Sequence, residues 1–309
     1  MTGTAATGTA ATGTAATGTA ATGTAARGTA PPRAGRRTAW LAAAWLGAVL
    51  VVIPAAWQAW TYGNTRQGSV AGGDDGRPVT ALEIVAGGSD VTVTPRADRQ
   101  VSYRADLGWS FRRPTIEESR LGDTLRLTPH CPGGAGDSGL PGLRCSVRLF
   151  VTVPADIPIK VTAGSGRVDI GGLGGAVDAD VDSGTLHLTG LRGPVRARVG
   201  SGQLDATALT SPQAELRVGS GRAAAAFLTP PGQVTARAGS GRLDLTFPTA
   251  TRFRVDCEAG AGRCEVDGAL RDPAAPGTLT LSAASGRAQA GYATPSTPWT
   301  PEHPSTPAR

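Results

Sequence analysis

Lysine is nearly missing from this chain: of its 30 basic residues only Lys160 is not arginine. That bias points to a GC-rich coding sequence and carries no chemistry. Histidine is almost as scarce. His130, His187 and His303 are not spaced as metal ligands, and no Cys-x-x-Cys is present, which argues against a zinc site. Aromatic residues make up 5% of the chain. Between Val161 and Ala290 only Phe227, Phe247 and Phe253 occur, too few for a sugar-binding cleft, and all three read as core. The corner Gly171-Gly172-Leu173-Gly174-Gly175 is not followed by Gly-Lys-Ser/Thr, so it is no phosphate loop. A general excess of positive charge is also lacking. The net charge is +6, but Arg27, Arg33, Arg36 and Arg37 contribute +4 before Thr61, where there is no acid. The remaining 6 − 4 = +2 gives no argument for nucleic acid. No cofactor is expected.

Only one long hydrophobic run exists. Residues 40–60, from Trp40 to Trp60, carry no charge over 21 positions, which as a helix is roughly 31 Å, about one hydrocarbon thickness. Trp40, Trp57, Trp60 and Tyr62 sit where an aromatic belt belongs. Arg33, Arg36 and Arg37 place the N-terminus in the cytoplasm by the positive-inside rule, and the remainder of the chain outside. A cleaved signal peptide is the rival reading, but no small-x-small site is evident. Residues 1–39 begin with Met1 and five copies of Thr-Gly-Thr-Ala-Ala and cannot bury a core. Residues 61–77 read as a flexible polar linker, and 293–309 as a disordered Pro/Thr-rich tail. Between them lie an N-terminal β part, 78–160, and a repeat region, 161–292.

The repeat is a short phrase: Gly164-Ser165-Gly166, Asp182-Ser183-Gly184, Gly200-Ser201-Gly202, Gly219-Ser220-Gly221, Gly239-Ser240-Gly241, Gly260-Ala261-Gly262 and Ala284-Ser285-Gly286. Its central residues are 18, 18, 19, 20, 21 and 24 positions apart. Apolar residues alternate on both sides of it, as in Val195, Ala197 and Val199 before Ser201, and Leu204 and Ala206 after it. Period-two alternation across a glycine corner means strand, turn, strand with one buried face. No single unit can bury that face alone, so the units must stack. The pattern predicts an all-β right-handed β-solenoid, a β-sandwich of hairpins being the alternative. Ala288 and Ala290 thin the last unit, as befits a terminal rung. Five positions before each central residue stand Lys160, Asp178, Arg196, Glu215, Thr235, Asp256 and Thr280. The first four alternate in sign, as in-register neighbours should.

Four cysteines fall on the predicted outer side, where an even count favours disulfides. The expected pairs are Cys131–Cys145 and Cys257–Cys264; four buried thiols are the alternative. Asp178, Asp180 and Asp182 resemble the start of a calcium loop, although Thr189 stands where the twelfth-position glutamate belongs. They also suit a structural ladder in which Asp178 faces Lys160 and Arg196 while Asp180 faces Arg198. A third reading pairs two of these carboxylates as in an inverting glycosidase. Arg222, Arg242, Arg263 and Arg287 occupy one outward position on four rungs taken as successive. They form either a solvated mixed-charge face with Asp244 and Glu265, or a strip for an anionic polymer.

The stretch Leu82-Glu83-Ile84-Val85, Ser89 to Pro95, Leu125-Arg126-Leu127, and Phe150 to Val161 running into Gly164-Ser165-Gly166 resembles the putative-adhesin β-strand-repeat family of bacteria. The resemblance spans about residues 78–292. It implies a β-helical, envelope-associated domain and supplies no catalytic residues. The Cys131–Cys145 loop has no counterpart in that pattern. The expected protein is thus a non-catalytic, adhesin-like binding or scaffold protein of the bacterial cell envelope, held in the membrane by its own helix. Its expected partners are an envelope polymer or a surface or membrane protein. An envelope-stress sensor or accessory protein acting through a membrane partner, and a β-helical polysaccharide enzyme, are the alternatives.

Overall fold

The computed structural model describes residues 45–47, 49–53, 56, 66–73, 76–110, 112–132 and 145–293. The chain divides after Pro54 into two units. In the first, residues 45–47 and 49–53 are helical, and Trp45, Leu46, Leu50, Val51, Val52 and Ile53 are all exposed. Among the described residues no helix is long and apolar enough to cross a membrane. Most of the expected span 40–60 lies outside the described residues, as do residues 1–39, the 133–144 part of the cysteine loop and the tail from 294.

Among its described residues from Arg66 onward, the second unit is all-β apart from one short 3-10 turn, Gly268–Leu270. Its first strands are β1 (Arg66–Gly73), β2 (Ala81–Gly87), β3 (Asp90–Arg96), β4 (Ser102–Trp109), β5 (Thr115–Leu121), β6 (Thr124–His130) and β7 (Cys145–Pro154). The repeats then supply β8 (Ile159–Ala163), β9 (Arg167–Gly171), β10 (Val177–Val181), β11 (Thr185–Thr189), β12 (Val195–Val199) and β13 (Gln203–Leu209). They continue as β14 (Gln213–Val218), β15 (Arg222–Phe227), β16 (Gln233–Ala238) and β17 (Arg242–Phe247). The last four are β18 (Arg254–Ala259), β19 (Arg263–Val266), β20 (Thr278–Ala283) and β21 (Arg287–Tyr292).

These strands form two sheets. The first runs β1-β4-β7-β3-β9-β11-β13-β15-β17-β21-β19, and the second β18-β20-β16-β14-β12-β10-β8-β2-β6-β5. The two strands flanking each Gly-Ser-Gly corner enter different sheets, so the repeats do not pair as hairpins. Each strand instead pairs in parallel with its counterpart one unit away, as Val177↔Val195 and Leu186↔Leu204 do. Antiparallel pairing is confined to β1–β4–β7 and β5–β6 at one end.

Inward residues of both sheets form one continuous core. Large and small side chains offset each other within a unit. Ala236 and Ala238 of β16 share their unit with Leu243 and Leu245 of β17, and Leu279 and Leu281 of β20 share theirs with Ala288 and Ala290 of β21. Full burial of each such leucine stabilises by about 1.5–3 kcal/mol. Phe247 stacks on Phe227 at 5.1 Å and meets Phe253 edge-on at 4.9 Å, so these rings belong to the core, as expected. The first lengthening of the period, from 18 to 19 residues, coincides with a register shift between Ala206 and Leu209, where Ala208 takes φ 55°.

Glycine is required at the corners for close approach more than for backbone freedom. A Cβ on Gly202 would overlap the carbonyl of Gly184, and one on Gly221 the carbonyl of Gly202. Among the described residues of the repeats, positive φ is found at one of these corners, at Gly166, and at two of the opposite corners, at Gly172 and Gly190.

Two expectations are corrected. Residues 66–73, read as linker, are strand β1, paired with β4 over its whole length. Two of the glycines that suggested a tether lie under aromatic rings: Gly68 under Trp109, where a Cβ would be tight, and Gly72 under Tyr103, where it would collide. Ala288 and Ala290 do not mark the end of the stack. The chain passes from β17 to the far edge, builds β18 and β19, and returns to insert β20 and β21 between that edge and β16–β17. Ala288 and Ala290 are therefore buried, and it is Val255, Cys257, Cys264 and Val266 that stand half-buried at the end.

Candidate functional site

Stacking in register turns outward residues into rows about 4.8 Å apart. On the second sheet one row reads Arg126, Glu83, Lys160, Asp178, Arg196, Glu215, Thr235, Thr280 and Asp256. The alternation of sign thus begins two strands earlier than the repeats, at Arg126 and Glu83. It is also joined by contact. Arg126 reaches Glu83 at 2.7 Å, Lys160 reaches the same carboxylate at 3.6 Å, and Arg196 lies 3.9 Å from Asp178 and 2.8 Å from Glu215. Arg217 adds a 2.5 Å contact to Glu215. The hydrogen bond from Arg126 holds the Glu83 carboxyl below its ordinary value, against the opposing effect of partial burial. The hydrogen bond from Arg196 does the same for Glu215.

The first sheet carries the expected arginines at the position after the corner. The strand order makes the row Thr185, Gln203, Arg222, Arg242, Arg287, Arg263. All four arginines are neighbours, but Arg287 stands inside Arg263, a consequence of the inserted last unit. None of the four makes a salt bridge among the described residues, and Glu265 is held instead by Gln289 at 2.7 Å. They line an open groove of about 820 Å³ together with the exposed corner serines Ser201, Ser220, Ser240 and Ser285.

A second arginine row escaped the sequence reading. Three positions before each central corner residue, in spatial order, stand Thr162, Asp180, Arg198, Arg217, Arg237, Ser282 and Glu258. Arg198, Arg217 and Arg237 are adjacent and line a groove of about 960 Å³ on the other side of the same corners, with Asp180, Asp182 and Glu258 toward its ends. The signal was available, since the alignment that exposed the fifth position back also exposes the third.

Asp178 and Asp180 lie on the outer face of β10, and Asp182 is the exposed first residue of the next corner. Asp178 is taken by Arg196, and Asp180 faces Arg198 in register without a salt bridge. Among the described residues no group of three or more His, Cys, Asp and Glu converges as metal ligands would. The disulfides are Cys131–Cys145 and Cys257–Cys264, each with its Cα atoms 6.0 Å apart. Cys257 and Cys264 join the two sheets at the terminal unit. Cys131, just after β6, and Cys145, in β7, join them at the opposite end.

No family model matches the chain, nor does any curated protein. Among solved structures it is similar to a putative cell adhesion protein from Clostridium sporogenes, at 14% identity with a TM-score of 0.35, covering 74% of this chain and 99% of that one. It is also similar to a putative lipid binding protein from Parabacteroides distasonis, at 11% identity and a TM-score of 0.34, covering 74% and 97%. A putative adhesin from Parabacteroides merdae is similar at 10% identity and a TM-score of 0.30, covering 74% and 97%.

Proposed function

We propose that this is a non-catalytic, adhesin-like surface protein of the bacterial envelope whose stacked units form a right-handed β-solenoid. Its arginine row Arg222, Arg242, Arg287 and Arg263 holds an anionic envelope polymer. In this reading, residues 40–60 form a single membrane anchor with the N-terminus in the cytoplasm. The exposure of Trp45, Leu46, Leu50, Val51, Val52 and Ile53, too much apolar surface for water, supports the anchor.

The observation that carries the binding role is the arginine row itself. Like charges on adjacent strands repel, and the paired row on the other sheet demonstrates how this sequence neutralises such rows when structure alone is at stake. Four neighbouring guanidiniums without a carboxylate partner among the described residues suit an external anion, which they can grip through paired N–H donors.

The test is co-sedimentation of the full-length chain with isolated envelope across a salt series. Binding should be lost as salt rises, and should be lost at low salt in R222S/R242S/R263S/R287S. Salt-resistant binding unaffected by these substitutions would overturn the reading and point to a protein or neutral-glycan partner.

A further inference from the structure

Building on the binding role proposed for the four arginines, we infer that the site has two walls. The ligand is a linear polyanion that lies lengthwise along the ridge of Gly-Ser-Gly corners, held by Arg198, Arg217 and Arg237 on one side and Arg222, Arg242, Arg287 and Arg263 on the other.

The geometry follows from the corner. A Gly-Ser-Gly turn passes the chain from one sheet to the other in three residues, so the last outward residue before it and the first after it flank the same narrow ridge. On the unit of Ser220 these are Arg217 and Arg222, and on that of Ser240 they are Arg237 and Arg242. Neighbouring units add Arg198 on one side and Arg287 and Arg263 on the other. Seven guanidiniums thus border one edge of the stack over five consecutive units.

Among the described residues, Arg217 is the only one of the seven with a carboxylate partner, Glu215, and its Nε is buried with no hydrogen-bond partner among them. On the units of Ser201, Ser220 and Ser240 the ridge between the rows is Gly-Ser-Gly and carries no side chain larger than serine. Many of its backbone N–H groups are used within the stack, among them Ser201 to the Asp182 carbonyl at 2.7 Å and Ser220 to that of Gly200 at 2.8 Å, so the exposed serine hydroxyls and the arginines are the groups offered to a ligand. Gly200, Gly219 and Gly239 keep side chains out of its other flank. Acids bound the patch: Asp180 and Asp182 at one end, Glu258 at the other, and Asp205, Asp244 and Glu265 two residues beyond the first-sheet row.

A compact anion would satisfy at most two neighbouring arginines. Rows spaced about 4.8 Å apart over five units extend roughly 19 Å, and only a chain with regularly repeated negative charge engages them all. An elongated ridge flanked by two open grooves fits such a chain better than a small molecule, which calls for a concave pocket.

The experiment uses the full-length chain in micelles of uncharged detergent and inorganic polyphosphate fractions of defined length as probe, with affinity measured across a salt series. Affinity should climb with polyphosphate length until the chain spans the five units, then level off. R198S/R237S should weaken binding by about tenfold and reduce the slope of log K against log salt by about two, one per arginine removed. The control R66S/R104S removes the same net charge away from the ridge and should change affinity less than about threefold. Circular dichroism should show that all variants fold.

If R198S/R237S behaves like the control while R222S/R242S/R263S/R287S abolishes binding, the second wall is refuted and the one-row site stands. If neither set weakens binding, both readings fall. Triphosphate binding as tightly as long polyphosphate would overturn the lengthwise seat.

Discussion

Two outward rows, one on each sheet, share one core and one stacking rhythm, yet they treat charge in opposite ways. On the second sheet, Arg126, Glu83, Lys160, Asp178, Arg196 and Glu215 alternate in sign, and almost every neighbour is in contact. On the first, Arg222, Arg242, Arg287 and Arg263 repeat one sign without an acid between them. Position in the stack does not explain the difference, since both rows are outward and both have partners at the same spacing. Parallel in-register stacking amplifies whatever a column contains. A column of alternating charge becomes a mutual brace, whereas a column of one charge becomes a field aimed at solvent.

Both rows depend on register, so the largest expected effect is one that destroys them together. Gly202→Val puts a side chain against the Gly184 carbonyl, a backbone atom that cannot turn aside. Since each unit is seated on the one before it, we expect a loss of at least about 3 kcal/mol, or failure to fold. Ser201→Ala, one residue away and exposed, should change stability by less than about 0.5 kcal/mol. Denaturant midpoints of the two variants decide this. Equal midpoints would mean that the corner glycines serve some purpose other than close stacking.

The corner phrase made much of this legible in advance. It placed the inward residues and aligned Lys160 with Asp178 and Arg196, because a fixed period maps one unit onto the next; the cysteine pairs were legible separately, from an even count and from the loop and the corner that each pair brackets. What it could not convey was spatial order where the chain stops stacking sequentially. Units β18–β19 and β20–β21 carry the same outward arginine and the same alternation of inward apolar residues, so exchanging their places alters no local pattern. Only the completed packing, with Leu279 and Leu281 set beside Ala288 and Ala290, reveals which of them is interior. Strand β1 was hidden for a different reason. Its glycines read as a tether until Trp109 and Tyr103, more than 30 residues later, are seen to cover two of them.

The next effect is smaller and opposite in sign between the rows. Glu215 holds Arg196 and Arg217 at once. Glu215→Lys replaces two attractions with two repulsions and should cost about 1–2 kcal/mol. Arg242→Glu does the reverse, placing an acid between Arg222 and Arg287. It should leave stability unchanged or raise it by up to about 1 kcal/mol, while weakening polyphosphate binding. Thermal melts with and without polyphosphate separate the two quantities. A destabilised Arg242→Glu protein would show that the arginine row is a structural element after all.

The smallest effect is a dependence on pH that only the paired row should display. Glu83 and Glu215 have folded-state values lowered from 4.5 by hydrogen bonds from Arg126 and Arg196 respectively. A lowered carboxyl stabilises the fold fully above its unfolded value, and that contribution is lost as pH falls through the folded value. The acid loss belongs below pH 4.5 and should amount to under about 1 kcal/mol per carboxylate, since both are open to solvent on one side. E83Q/E215Q should be less stable than the parent at neutral pH and should lose less on acidification. R222S/R242S/R263S/R287S should keep the parent's acid limb, because those arginines hold no carboxylate among the described residues. Urea midpoints measured from pH 7 down to pH 3 would resolve the two slopes, and an acid limb flattened by the arginine substitutions would mean that the rows are coupled through the core that separates them.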